Sequence, residues 1–211
     1  CTLENHNGFV LEGGSVESDG QGVVMTTSSC LMSKNRNGGL DKQGIEQQLR
    51  TRLGAKKVLW LDHGNLVGDD TDGHIDTIAR FAPDDIILYA GCYDTTDEQH
   101  ADLAAMEAQL RTFTTVNGKP YNLIKLPTPR PIYDEDGLRL PATYANFLVT
   151  NSSVLVPTYG QKAIDNLALK TIKIAFPHKH IVGIDCNALI KQHGSLHCVT
   201  MQLPQGTVKT L

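Results

Sequence analysis

The sequence predicts a mixed α/β fold made of a repeated strand–strand–helix–strand (ββαβ) unit. The same order of apolar segments recurs along the chain. Helical stretches begin near residues 41, 97 and 160, a period of about sixty residues. Strands alternating with helices imply mixed α/β layers, and repeats of this size imply units arranged radially around a common axis.

Each element follows from local chemistry. Phe9-Val10-Leu11 and Gly22-Val23-Val24-Met25 read as two short strands. Asp41 then offers N-cap chemistry, Ile45, Leu49 and Leu53 recur at helical spacing, and Gly54 closes the helix. Lys57 to Leu61 completes the first unit as a strand. In the second unit, Ile75 to Phe81 and Ile86 to Ala90 read as strands and Glu98 to Thr112 as a helix with Leu103, Met106 and Leu110 on its apolar face. Tyr121 to Leu126 follows as a strand, ended by Pro127, Pro129 and Pro131. The third unit takes Tyr144 to Val149, Val154 to Pro157, a helix from Gln161 to Ala175 and the strand His180 to Ile184. Leu196 to Gln202 reads as the first strand of a fourth unit.

Bulk properties narrow the function classes. With 211 residues the chain is long enough for a substantial core, and it is read as a single domain over 1–211. Hydrophobic content of 40% and charged content of 20% suit a soluble globular protein. A net charge of -4 supplies no basic field for nucleic acid. Five scattered cysteines without C-x-x-C spacing argue against a disulfide framework or structural zinc and for a reducing, cytoplasmic setting. No apolar run is long enough for a membrane span.

Four residues stand out as a catalytic constellation. Cys198, in Gly194-Ser195-Leu196-His197-Cys198-Val199-Thr200, is a possible nucleophile, although a lone strand cysteine is more often a small buried hydrophobe. Read as a strand, this stretch sends His197 to the opposite face from Cys198, which makes His197 a poor partner and His74 a better one. His74 and Asp76 are two apart, so a strand would point both the same way. The bland reading is an Asp-rich surface loop with one incidental His. The acids at 69, 70, 72 and 76 also invite a metal reading, but aligning Gly73 to the glycine of a calcium loop puts Gly68 and Ala79 at ligand positions, and that template fails. Glu12, before Gly13 and Gly14, is by itself a charged turn residue. In a radial array, Glu12, His74 and Cys198 all fall on the first strands of their units and would converge on the axis. Acids around a cysteine suit a planar cation such as a guanidinium.

Five ordered motifs then resemble the agmatine deiminase and bacterial-type peptidylarginine deiminase family of the guanidino-modifying superfamily. They are Glu12-Gly13-Gly14-Ser15, Asn35-Arg36-Asn37, Gly68 to Asp76, Tyr144-Ala145-Asn146-Phe147 and Leu196 to Thr200. The resemblance implies that the ββαβ units form part of a five-bladed α/β propeller, the pentein-like fold. It implies Cys198 as the nucleophile on the guanidinium carbon and His74 as the acid and base. Asp76 is then the carboxylate that grips guanidinium nitrogens, Glu12 the acid that orients His74, and Asp70 a contact to the far end of the substrate. No cofactor and no metal are expected.

Two departures from the family pattern accompany the resemblance. His193-Gly194-Ser195-Leu196 stands where the family carries Gly-Gly-Asn before its Ile-His-Cys. The family's portion before Glu-Gly-Gly-Ser, which holds a second guanidinium carboxylate, is missing, so about two of five units are unaccounted for. The expected partners are therefore a small cationic guanidino substrate and either a homo-oligomer or pairing with the missing N-terminal segment. The leading expectation is conversion of agmatine to N-carbamoylputrescine and ammonia through a cysteine thiouronium. The alternatives are a peptidylarginine or free arginine deiminase, a non-catalytic guanidino-binding fragment, and a metal-dependent hydrolase.

Overall fold

The computed structural model describes residues 5–203 and 206, and in it the ββαβ order occurs three times. The first unit holds β1 (Glu17–Ser18), β2 (Val23–Thr27), the one-turn helices α1 (Ser28–Leu31) and α2 (Lys34–Asn37), then α3 (Lys42–Leu53) and β3 (Lys57–Leu61). The second holds β4 (Ala79–Ala82), β5 (Ile86–Ala90), α4 (His100–Leu110) and β6 (Asn122–Leu126). The third holds β7 (Leu148–Val149), β8 (Ser153–Thr158), α5 (Lys162–Ala175) and β9 (His180–Asp185). Each unit is a three-stranded sheet whose second strand lies in the middle, antiparallel to the first and parallel to the third. Parallel neighbours need a long crossover, and the helix of each unit supplies it.

The helix signals hold in detail. The Asp41 carboxylate accepts from Gly44 N at 2.8 Å, and Gly54 takes the left-handed φ of 68° that ends α3.

Strand alternation explains how the units stack. In β2, Val23 and Met25 face one core while Val24 faces another; in β5, Ile87 and Tyr89 part from Leu88 in the same way. Leu103, Met106 and Leu110 of α4 join Val23, Met25, Leu59 and Leu61 of the first sheet, so α4 fills the space between sheets one and two. Ala168 and Ile172 of α5 join Leu88 and Leu126, filling the space between sheets two and three. Ile45 and Leu49 of α3 cover the other face of the first sheet. Two of the three cores thus lie between successive units, and the third lies under α3 within the first. The first two sheets are apolar on both faces, so each buries one of them only by stacking on a neighbouring unit. Among the described residues no helix is long and apolar enough to cross a membrane.

Four strand expectations are corrected. Phe9 to Leu11 is irregular, and the first strand is β1. Residues 75–77 form a 3-10 turn, so the strand expected from Ile75 begins at Ala79. Only Leu148 and Val149 of the stretch expected from Tyr144 are strand. His197–Val199 is a 3-10 turn, and no strand lies from Leu196 to Gln202. A common cause connects three of these. The turn at 75–77 is held by the Thr77 hydroxyl donating to His74 O at 2.8 Å, and the backbone N–H groups of His197 and Cys198 donate to the Asn146 side chain. Polar side chains captured backbone groups that a strand ladder would have used. Glu12, His74 and Cys198 therefore sit in connecting segments, not on first strands as expected.

Candidate active site

The segment before β1, the loop before β4 and the segment after β9 meet around one cavity of about 610 Å³. Glu12, Asp70, His74, Asp76 and Cys198 all line it, although up to 186 residues separate them in sequence. Asp70 is exposed, whereas Asp76 is buried.

Glu12 is held by Arg36 of α2. The Arg36 Nε lies 3.0 and 2.7 Å from the two Glu12 oxygens, and its terminal nitrogens reach the Asp72 carboxylate at 2.9 Å and Thr71 O at 2.8 Å. Arg36 thus ties the Glu12 loop to the loop before His74. Neighbouring Asn37 pins the same loop by pairing with the backbone of Val10, as donor and as acceptor, at 3.0 Å each. Burial would raise the Glu12 pKa, but the Arg36 hydrogen bonds and charge, aided by His74, outweigh it and hold Glu12 below its ordinary value.

The His74 ring stands beside this carboxylate, with Nε2 3.6 Å from Glu12 Oε2. Its backbone is set by the preceding loop. Asp69 accepts from the Thr71 hydroxyl and from Gly73 N at 3.0 Å, and the Thr71 hydroxyl oxygen accepts from His74 N at 3.0 Å. Gly14 closes over the pair. A Cβ at position 14 would fall 2.5 Å from His74 Nδ1 and 3.0 Å from Asp76 Oδ1, so only glycine lets this backbone lie on both side chains.

Asp76 uses its two oxygens differently. Oδ2 accepts from His197 Nδ1 at 2.7 Å and from Asn146 Nδ2 at 3.2 Å. Oδ1 is buried and has no hydrogen-bond partner among the described residues, and the same holds for His74 Nε2. Buried polar atoms of native sites are nearly always paired, so two unpaired ones in a single cavity mark where a polar ligand belongs.

Cys198 is exposed to the cavity. Its backbone N–H, at 3.3 Å, and its thiol, at 3.4 Å, reach Asn146 Oδ1. Desolvation of the sulfur by surrounding protein, and then the negative charge of Asp76, push its pKa up. The free thiol is therefore the resting form at neutral pH.

The site is poorly suited to a metal. Glu12, Cys30 and His74 each offer a ligand atom within 4.8 Å of the others. However, Arg36 occupies both Glu12 oxygens, and burial pushes the Cys30 thiol up to about 12. Of the acids in the loop, Asp69 is spent on that loop and Asp72 on Arg36.

Comparison with known proteins places this geometry. The family model for Porphyromonas-type peptidyl-arginine deiminases matches residues 2–204. The chain belongs to this family. A curated relative, the agmatine deiminase of Medicago truncatula, is 35% identical over 93% of this chain. The chain spans 57% of that relative's length. A Porphyromonas gingivalis structure provisionally termed an arginine deiminase is 52% identical, with a TM-score of 0.92 over 95% of this chain and 59% of its own. An agmatine deiminase of C. jejuni solved with substrate bound is 41% identical, with a TM-score of 0.83 over 90% of this chain and 54% of its own.

Sequence reasoning missed three members of the site. His197 was set aside as facing away from Cys198, but the 3-10 turn brings its ring onto Asp76. Arg36 and Asn146 were noted only within their motifs. One signal was available for Asn146: an amide between Ala145 and Phe147, both buried, must find polar partners in the interior.

Proposed function

We propose that this chain carries the reaction centre of a guanidino-group deiminase whose substrate is agmatine. The observation that supports it best is one cavity lined by a cysteine, a histidine and carboxylates, with buried, unpaired polar atoms on two of its lining residues, His74 and Asp76. Curated relatives named as agmatine deiminases, at 32–35% identity, support the choice of substrate.

In this reading Asp76 Oδ1 accepts from a guanidinium nitrogen and holds the plane still. Cys198 is the nucleophile. The arriving cation offsets the charge of Asp76, and the thiol ionises beside it, releasing its proton to solvent; it is regained when the C–S bond breaks and the electron pair returns to sulfur. Sulfur attacks the guanidinium carbon, and the tetrahedral adduct expels ammonia, which takes its proton from His74. Neutral His74 then accepts a proton from water as the water oxygen attacks the thiouronium carbon. The C–S bond breaks, and N-carbamoylputrescine leaves. Glu12, tied down by Arg36, orients His74. Asp70 faces the far amine of the substrate.

We infer further that the three ββαβ units belong to a five-bladed propeller, since three units of five is close to the 57% of the relative's length that this chain spans. In that assembly the remaining units, or a second copy of the chain, complete the substrate pocket.

The test is release of ammonia and ureido product from agmatine, free arginine and an arginyl peptide, each with and without chelator. Chelator-insensitive turnover, fastest on agmatine, is expected. Turnover fastest on arginine or on the peptide overturns the substrate, and loss of turnover on chelation overturns the cysteine mechanism.

A further inference from the structure

His193 ends the 3-10 turn Leu189–Gln192 with a left-handed backbone, φ 64°. Four described residues other than glycine have a positive φ, and the other three are aspartates, whose short polar side chains tolerate that region. An imidazole there is uncommon, because its Cβ is crowded against the following carbonyl. Such a conformation persists only where the surroundings impose it.

The imposing contact is on the page. His193 Nδ1 lies 2.9 Å from Gly68 O, 125 residues away in sequence. A carbonyl only accepts, so Nδ1 carries the proton, and in the neutral ring Nε2 is an acceptor. Gly68 is itself fixed, since a Cβ at that position would fall 2.3 Å from Arg139 O. Gly68 opens the loop that leads to Asp70, His74 and Asp76, so the ring is tied to the segment that carries these residues. Nε2 makes no hydrogen bond to a described residue. His193 lines the same cavity as Cys198, and a Cβ built on its neighbour Gly194 would lie 3.0 Å from Cys198 Cβ.

The charge of this cavity is one-sided. Glu12, Asp70 and Asp76 line it, and among the described residues no Lys or Arg does. A substrate with a carboxylate at its far end meets like charge and no basic partner, whereas one with an ammonium meets acids and an acceptor nitrogen. We propose that His193 is a specificity-determining residue whose Nε2 accepts from the far ammonium of an aminoalkyl guanidine. This rests on the function proposed above and names the group that reads the far end of its substrate. The left-handed backbone then has a purpose: it places a ring, with one nitrogen already committed, at the wall of the cavity.

The test compares agmatine with butylguanidine, which has the same carbon chain and no amine. His193→Gly removes the ring, and glycine adopts a φ of 64° without strain, so the variant is expected to fold. Circular dichroism checks this, and His193→Asn, also tolerated in that region, replaces it if it does not. At about pH 8 both ends of agmatine are charged. The ratio of kcat/KM for agmatine to that for butylguanidine is expected to fall about 10-fold in the variant, the scale of one hydrogen bond to a charged group. A ring that serves only to pin Gly68 would lower both substrates together and leave the ratio intact.

A second readout needs no turnover. Isothermal titration of Cys198→Ala is expected to show tighter binding of agmatine than of butylguanidine, and adding His193→Gly should narrow that gap about 10-fold. Turnover with an unchanged ratio in the variant overturns this inference and leaves the proposed function standing. A chain that turns over neither compound, yet loses its preference for agmatine in His193→Gly, overturns the function and leaves the recognition standing. Binding of neither compound overturns both.

Discussion

His197 Nδ1 lies 2.7 Å from Asp76 Oδ2, although 121 residues separate the two in sequence. Because a carboxylate only accepts, that nitrogen carries the proton. The contact occupies one oxygen of Asp76, while Oδ1 is buried with no hydrogen-bond partner among the described residues. One oxygen of this carboxylate is thereby paired and the other is not.

Removing the donor tests that pairing. His197→Phe keeps a ring in place and leaves Asp76 Oδ2 with Asn146 alone. A stability loss of about 1–3 kcal/mol is expected for a buried charged acceptor that loses a partner. Urea denaturation measures it, and an unchanged midpoint would show that the pair holds nothing in place.

The two neighbouring glycines should behave very differently. Gly14→Ala drives a Cβ to 2.5 Å from His74 Nδ1, whereas a Cβ at Gly13 meets nothing within 4 Å. Displacing His74 and Asp76 is expected to reduce kcat about 100-fold. Gly13→Ala should stay near the wild-type rate. Equal rates in the two variants would contradict the packing described for Gly14.

Arg36 governs an acid-sensitive step in stability. The Glu12 pKa is lowered in the folded chain, so this pair stabilises the protein above the ordinary Glu value and its contribution disappears as pH falls through the lowered one. The Glu12 side chain is 40% exposed, which screens the pair and holds its contribution below about 1 kcal/mol. In Arg36→Met the melting temperature should therefore be lower near neutral pH and change less between about pH 5 and pH 3. Calorimetry across that range checks it, and parallel curves for the two proteins would remove Glu12 from the account.

Cys198 should titrate late when the site is empty. With its pKa raised by desolvation and by Asp76, iodoacetamide labelling should still be accelerating above pH of about 8.5, the ordinary cysteine value. Cys198→Ala should abolish ammonia release while leaving the melting temperature almost unchanged, because the residue is exposed and fills no core space. A labelling profile that levels off near neutral pH would mean that the resting group is already a thiolate.

Much of the architecture was legible without coordinates. Lys57–Leu61 and Ile86–Ala90 are strands with the bounds read from the sequence, and the helices at Lys42, His100 and Lys162 begin within three residues of expectation. These segments carry strong apolar periodicity or explicit caps, such as Asp41 and Gly54, so local chemistry determines them. Errors fell where polar side chains bind backbone groups, near or distant in sequence. Thr77 curls the turn after His74, and Asn146 holds the turn of Cys198; in both places an alternating pattern resembled a strand.

The sequence by itself determined the repeating α/β unit, its helices and central strands, and the residue types that point to guanidinium chemistry. Tertiary structure alone decided how those residues are used. It paired one oxygen of Asp76 with His197 and left the other buried without a partner, anchored Glu12 on Arg36, and joined Cys198 to Asp76 through Asn146. The physical reason is range. Periodicity and capping act over a few residues, whereas each of these contacts is a hydrogen bond between side chains at least 24 residues apart in sequence, which only the tertiary fold brings within 3.5 Å of one another.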